Sequence, residues 1–148
     1  AYRSHNEATH DQLIRAFPGI VDELAALRAE GFEMGVVTSK MHALAWRGLQ
    51  VVGAAPYLGC LIGADDCAKH KPDPAPILLG CERMGAKPEE CVYVGDSPFD
   101  IAAGNAAGCK TLAVTWGMFP EEELVVENPT EIIHEVAEFS AAIQALSN

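Results

Sequence analysis

The sequence predicts an α/β domain whose parallel β-sheet is covered by helices on both faces. Three observations predict it. Short, continuous apolar runs of β type recur along the chain, and each is followed by a stretch with helical spacing. Strands that alternate with helices imply parallel neighbours with helices on the two faces. The 148 residues, 49% apolar and 21% charged, suffice for one domain with its own core.

The elements follow in order. Residues 20–30 have helical spacing (Val21, Leu24, Ala25, Leu27, Arg28) and stop at Gly31, a C-terminal cap. Residues 34–38 (MGVVT) read as a buried strand and residues 41–52 as a helix. Leu61 and Ile62 form a short strand before Asp65 and Asp66. The next helix starts in KPDPAP, with Asp73 as its cap and Pro74 at its first position, and runs to about Met84 before Gly85. Residues 91–95 (CVYVG) are a strand. Ser97 and Pro98 open a helix whose first turn Asp100 supports and which Gly108 ends. Residues 111–115 (TLAVT) are another strand. After a loop containing Pro120, residues 131–146 suggest a short strand and a closing helix.

In open α/β sheets chemistry gathers at the carboxyl ends of the strands. Here those ends carry Thr38-Ser39-Lys40, Asp65-Asp66, Gly95-Asp96-Ser97 and Thr115-Trp116. Asp96 and Asp100 put one carboxylate just past a strand and a second one helical turn later. Such a pair suits Mg²⁺, which prefers oxygen ligands and takes one or two carboxylates; it equally suits a strand end followed by a helix N-terminus. Thr38 can bind a phosphate oxygen with help from backbone N–H groups, or can cap a helix. Lys71, in the stiff loop before Pro-Asp-Pro, can neutralise a transferring phosphoryl group or be solvated. Lys40 is a weaker candidate for the same cleft, and Lys69 and His70 read as loop residues.

The order and spacing of these signals are more specific than any one of them. An apolar strand ending in TS, then KPDPAP, then VGDSPFDIAAGNAAG resembles the second, third and fourth motifs of the haloacid dehalogenase superfamily. KPDPAPIL and VVTSK look like its phosphoglycolate phosphatase and pyrophosphatase branch. The resemblance implies a three-layer Rossmann-like core. It also implies that Thr38 hydrogen-bonds the phosphoryl group and that Lys71 stabilises its charge and that of the nucleophile. Asp96 and Asp100 form the Mg²⁺ site, with Asp100 orienting either Lys71 or the metal's water ligands. Ser39 stands where many relatives have Asn and is expected to bind substrate through its backbone. The implied activity is Mg²⁺-dependent hydrolysis of a small phosphate monoester, phosphoglycolate-like, or of pyrophosphate, through an aspartyl-phosphate.

The superfamily's first motif, an apolar strand ending in Asp-x-Asp, does not occur in the sequence. Before Thr38 the aspartates are Asp11 and Asp22, and after Trp116 there is none. In the family that strand lies mid-sheet, between the strands ending at Thr38 and Asp96. The expectation is therefore an incomplete core over residues 15–148, inactive by itself. A separate segment or another chain would complete it, or the remaining strands would close the gap, as in a swapped homodimer. Residues 1–14 resemble the end of a helical cap, in which His5, Asn6 and His10 face either the cleft or solvent. A phosphosugar mutase of the same superfamily, or a non-catalytic anion-binding or dimerising module on its scaffold, are the alternative readings. A dehalogenase fits less well, since the Asp96–Asp100 pair suits a metal that dehalogenases do not need.

Composition excludes other classes. The formal charge is −11 and the ten Lys and Arg are scattered, so no nucleic-acid partner is expected. No apolar run approaches the roughly 18 residues of a membrane helix, and the polar N-terminus has no signal-peptide core. Cys60, Cys67, Cys81, Cys91 and Cys109 form no CxxC pair and no short Cys/His cluster. They read as free thiols in a reducing cytoplasm, without zinc. Trp46 is expected in the core, while Trp116 and Met118 line either the core or the cleft.

Overall fold

The computed structural model describes residues 18–147. Five short strands and six helices alternate along them: α1 (Ile20–Ala29), β1 (Gly35–Val37), α2 (His42–Val51), β2 (Cys60–Ile62), α3 (Ala75–Arg83), β3 (Val92–Gly95), α4 (Pro98–Ala107), β4 (Lys110–Val114), α5 (Glu121–Val125), β5 (Glu131–Ile133) and α6 (Phe139–Leu146). All strand pairs are parallel, in the ladders β1–β2 and β3–β4–β5. The α/β prediction holds. The predicted cap segment, with His5, Asn6 and His10, lies outside the described residues.

Successive strand residues point to opposite faces, and both faces are apolar. Val36, Leu61, Val92, Val94, Leu112 and Val114 turn to one side, where they bury Leu24 and Leu27 of α1, Leu49 of α2 and Phe139 of α6. Val37, Ile62 and Tyr93 turn to the other side, against Ile77 and Cys81 of α3 and Ala103 and Ala107 of α4. This double burial explains the uninterrupted apolar runs in the sequence. Trp46 packs against the first core as expected, and so does the partly buried Trp116, whereas Met118 is exposed.

Helix ends obey local rules. At the end of α1, Gly31 takes φ 90°, its N–H reaches Arg28 O, and Phe32 N–H reaches Leu27 O. That pattern requires a left-handed residue, which glycine adopts without a Cβ penalty. Gly85 and Gly108 close α3 and α4 similarly. Two predicted details shift. Helix α3 begins at Ala75, so Pro74 is the flanking residue, yet Asp73 still caps through Ala75 N–H to Oδ1 at 2.9 Å. The segment around Pro120, read from sequence as a loop, contains the short α5, which buries Leu124 against Ile101 and Ala113.

The gap expected between the strand ending at Thr38 and the strand ending at Asp96 is present in the pairing. Among the described residues no ladder joins β1 to β3; β1 pairs with β2 and β3 with β4. Within the single chain these strands do not pair with each other. An apolar cavity of about 240 Å³ lies at the amino-terminal end of this gap, walled by residues that include Leu27, Met34, Met84, Val92, Val94 and Phe139.

Candidate active site

The carboxyl end of β3 is built around Asp100. Ser97 is the N-cap of α4: its Oγ accepts Asp100 N–H at 3.2 Å, and Ser97 N–H returns a bond to Asp100 Oδ2 at 3.2 Å. This reciprocal box is what the Ser-Pro-Phe-Asp spacing predicts. Asp100 Oδ2 also accepts Asp96 N–H at 3.2 Å and Ser97 Oγ–H at 2.9 Å. Its other oxygen, Oδ1, faces Lys71 Nζ at 3.2 Å, with side chains 5% and 0% exposed. Lys71 arrives from the loop before α3, through a cis Lys71–Pro72 peptide. One buried carboxylate thus binds the backbone of Asp96, the hydroxyl of Ser97 and the ammonium of Lys71.

Two glycines permit this packing. A Cβ on Gly95 would stand 2.2 Å from Asp100 Cβ, and one on Gly117 would stand 2.6 Å from both Cβ and Oδ2 of Asp96. The Asp96 carboxylate therefore rests against bare backbone in the loop after β4. It is buried, with 9% of the residue exposed.

Thr38 ends β1 at the same edge of the sheet and is buried, as is Lys40. Its N–H continues the ladder to Ile62 O at 2.9 Å, and its Oγ1 accepts Lys40 N–H at 3.2 Å. The following loop, which carries the exposed Ser39, is tied to the turn after β2. Ala64 N–H binds Lys40 O at 2.7 Å, His42 N–H binds Asp65 Oδ1 at 2.8 Å, and His42 Nδ1 pairs with Asp66 Oδ2. Asp66 Oδ2 also accepts Gly63 N–H at 2.7 Å. Burial pushes the Asp66 carboxyl up, but the Gly63 N–H and the His42 ring outweigh it and hold it below the ordinary range. Sequence reasoning saw Asp65 and Asp66 only as residues after a strand. Their role as anchors of the Thr38 loop needs contacts across 23 and 24 residues, which no local pattern encodes.

The structure thus joins Lys71, Asp96, Ser97 and Asp100 directly and brings Thr38 and Ser39 to the same edge on a neighbouring ladder. Lys69 and His70 are exposed, as read from sequence, and His70 Nε2 contacts Ala64 O at 3.1 Å. The donor set suits a hard divalent cation in one respect: a buried carboxylate at a strand end, set against backbone with no side chain in the way. No group of three or more His, Cys, Asp or Glu side chains among the described residues forms a closed metal cage. Mg²⁺ does not need one, since it keeps several waters and takes one or two carboxylates.

The order of these residues along the chain resembles that of the haloacid dehalogenase-like hydrolases. That family's sequence profile matches residues 1–114, and the chain belongs to this family. It is 34% identical over 144 residues to the pyrophosphatase PpaX of Bacillus pumilus, spanning 97% of this chain and 67% of that protein. It is 37% identical over 127 residues to the phosphoglycolate phosphatase of Escherichia coli K12, spanning 86% of this chain and 50% of that protein. Among solved structures, one described as a predicted phosphoglycolate phosphatase from Haemophilus somnus superposes with TM-score 0.79 at 28% identity, over 85% of this chain and 56% of that one. The β-phosphoglucomutase of Clostridium difficile shares the fold, with TM-score 0.74 at 19% identity over 94% of this chain and 62% of that one. The chain therefore spans about half to two thirds of the proteins it resembles.

Proposed function

We propose that the chain forms most of the catalytic core of a Mg²⁺-dependent cytoplasmic phosphatase acting on a small phosphate monoester, phosphoglycolate-like, or on pyrophosphate. The observation that carries this reading is the buried Lys71–Asp100 pair bonded to the backbone of Asp96 at a strand's carboxyl end. An ammonium held there meets the negative charge of an incoming phosphoryl group and of an attacking carboxylate. The Thr38 hydroxyl, oriented by Lys40 N–H, binds a phosphoryl oxygen, and the backbone of Ser39 adds a donor. Asp96 would be the direct carboxylate ligand of Mg²⁺. Asp100 has its Oδ2 filled by three protein donors and its Oδ1 on Lys71, which supports a positioning role beside the metal rather than a direct bond. Bound Mg²⁺ would supply electrostatic stabilisation of the phosphoryl oxygens.

The nucleophile is assigned to a strand seated between β1 and β3 and ending in Asp-x-Asp. That slot is where the two parallel ladders face each other, and no Asp-x-Asp occurs in the 148 residues. The first Asp of such a strand attacks phosphorus and becomes an aspartyl-phosphate; the second protonates the leaving group and then activates water. The strand comes from a preceding segment of the same protein or from a partner chain. The chain by itself is then inactive.

The test is hydrolysis of phosphoglycolate, pyrophosphate and a generic aryl phosphate, with and without Mg²⁺, by the chain alone and by the chain joined to a segment bearing an apolar strand that ends in Asp-x-Asp. Mg²⁺-dependent turnover that appears only in the joined protein, and that is lost on Asp96→Ala, supports the reading. Turnover by the chain alone overturns the assignment of the nucleophile. Isomerisation of a phosphosugar instead of hydrolysis indicates a mutase, and binding of anions without turnover in the joined protein indicates a non-catalytic module.

A further inference from the structure

Three of the five cysteines, distant in sequence, meet in the second core. Cys81 lies in the last turns of α3, Cys91 directly precedes β3, and Cys109 directly precedes β4. The parallel register sets Val92 beside Lys110, and Lys110 N–H binds Cys91 O at 3.1 Å, which places Cys91 and Cys109 at neighbouring strand entrances. The Cys81 thiol stands between them. Its Sγ is 3.6 Å from Cys91 Sγ, and it is also hydrogen-bonded to Cys109. All three, with Cys60, line a cavity of about 10 Å³ on the β1–β3 gap, walled otherwise by apolar groups such as Val37, Ile77 and Tyr93.

We infer that Cys81 and Cys91 are an oxidative modification site at which a peroxide forms a disulfide between the end of α3 and the entrance to β3. Geometry carries this. A disulfide needs sulfurs about 2 Å apart and Cβ atoms near 4 Å. The two sulfurs already stand in contact at 3.6 Å, on one fully and one partly buried residue, and must close to about 2 Å to bond. Cys91 is the half-buried member, so the oxidant meets it first, while Cys81 waits behind it as the resolving thiol. The Cys91 sulfur attacks one peroxide oxygen; an S–O bond forms, the O–O bond breaks and water leaves with the thiol proton. The Cys81 sulfur then attacks the sulfenic sulfur; an S–S bond forms, the S–O bond breaks and a second water leaves. Two thiols are oxidised and one peroxide is reduced to two waters.

The hydrogen bond with Cys81 holds the Cys109 thiol below its ordinary value. The same contact pushes Cys81 up to about 11, and its bond with Cys81 pushes Cys91 up as well. The thiolate is the form that peroxide oxidises, so the link is expected to form faster as the pH rises. The link would tie the helix that follows Lys71 to the strand that ends before Asp96. It uses no residue of the phosphatase site, and the cavity beside it lies in the slot assigned above to the Asp-x-Asp strand.

The experiment treats the folded chain with hydrogen peroxide, alkylates the remaining thiols after denaturation, and maps the peptides without reduction. The expected result is one cross-linked pair joining the peptides of Cys81 and Cys91, reversed by dithiothreitol, with Cys60, Cys67 and Cys109 recovered alkylated. The pair should persist in Cys109→Ser and vanish in Cys91→Ser. Recovery of Cys81 and Cys91 as alkylated thiols, a link from Cys81 to Cys109, or singly over-oxidised cysteines without a link would each overturn the inference. The wild-type map decides the matter even where a variant folds poorly.

Discussion

Lys71 Nζ lies 3.2 Å from Asp100 Oδ1, and neither side chain reaches solvent to any useful extent. The pair joins two segments, the loop before α3 and the first turn of α4, that the fold otherwise holds together through apolar contacts between those helices. Taking two charges out of water is costly, and the attraction offsets that cost only while both partners remain.

Replacing Lys71 with Met should therefore leave the Asp100 carboxylate buried without its cation and lower stability by about 3–5 kcal/mol. The double variant Lys71→Met/Asp100→Leu should lose distinctly less than the sum of the single losses. Urea unfolding of the four proteins measures this. Additive losses would mean that the two groups do not interact in the folded chain.

Gly117 bears on the proposed metal site. An added Cβ would sit 2.6 Å from Cβ and Oδ2 of Asp96, so Gly117→Ala must displace that carboxylate or the loop. The expected outcome is a folded protein whose melting temperature rises less with added MgCl₂ than that of the wild type. An equal Mg²⁺-induced rise in both would argue against Asp96 as the ligand.

Asp66 makes a pH-dependent contribution. Its carboxyl is raised by burial but lowered further by Gly63 N–H and by His42, so its folded value lies below the ordinary 3.8. The unfolded chain then binds the proton more readily, and stability falls as the pH falls. The contribution is fully present above the unfolded value and is lost as the pH drops through the folded one. The stability difference between wild type and Asp66→Asn should shrink from about pH 5 toward pH 3. A difference independent of pH would assign the loss to packing rather than to the charge.

Much of this protein was legible in its sequence because the relevant rules are local. Apolar runs marked β1, β3 and β4; Gly31, Gly85 and Gly108 marked helix ends; and Ser97 with Asp100 marked a capping box. The family pattern picked out Thr38, Lys71, Asp96 and Asp100 by their order. The absence of Asp-x-Asp was also plain from the residues, whereas the place in the sheet for such a strand came from the family resemblance alone. The short α5 was missed because Pro120 and three glutamates look like a loop until Leu124 finds its pocket.

Tertiary structure decided what depends on distance across the fold. That Asp100 serves Ser97, Asp96 and Lys71 at once follows from a close approach at Gly95, not from the spacing of four residues. That Asp65 and Asp66 hold the Thr38 loop, and that Cys81, Cys91 and Cys109 share one cluster, follows from strands and helices converging from remote parts of the chain. Local sequence encodes backbone preference and burial pattern, which set the elements and their faces. Which side chains finally touch is set by packing those faces together, where a neighbour in space is seldom a neighbour in sequence.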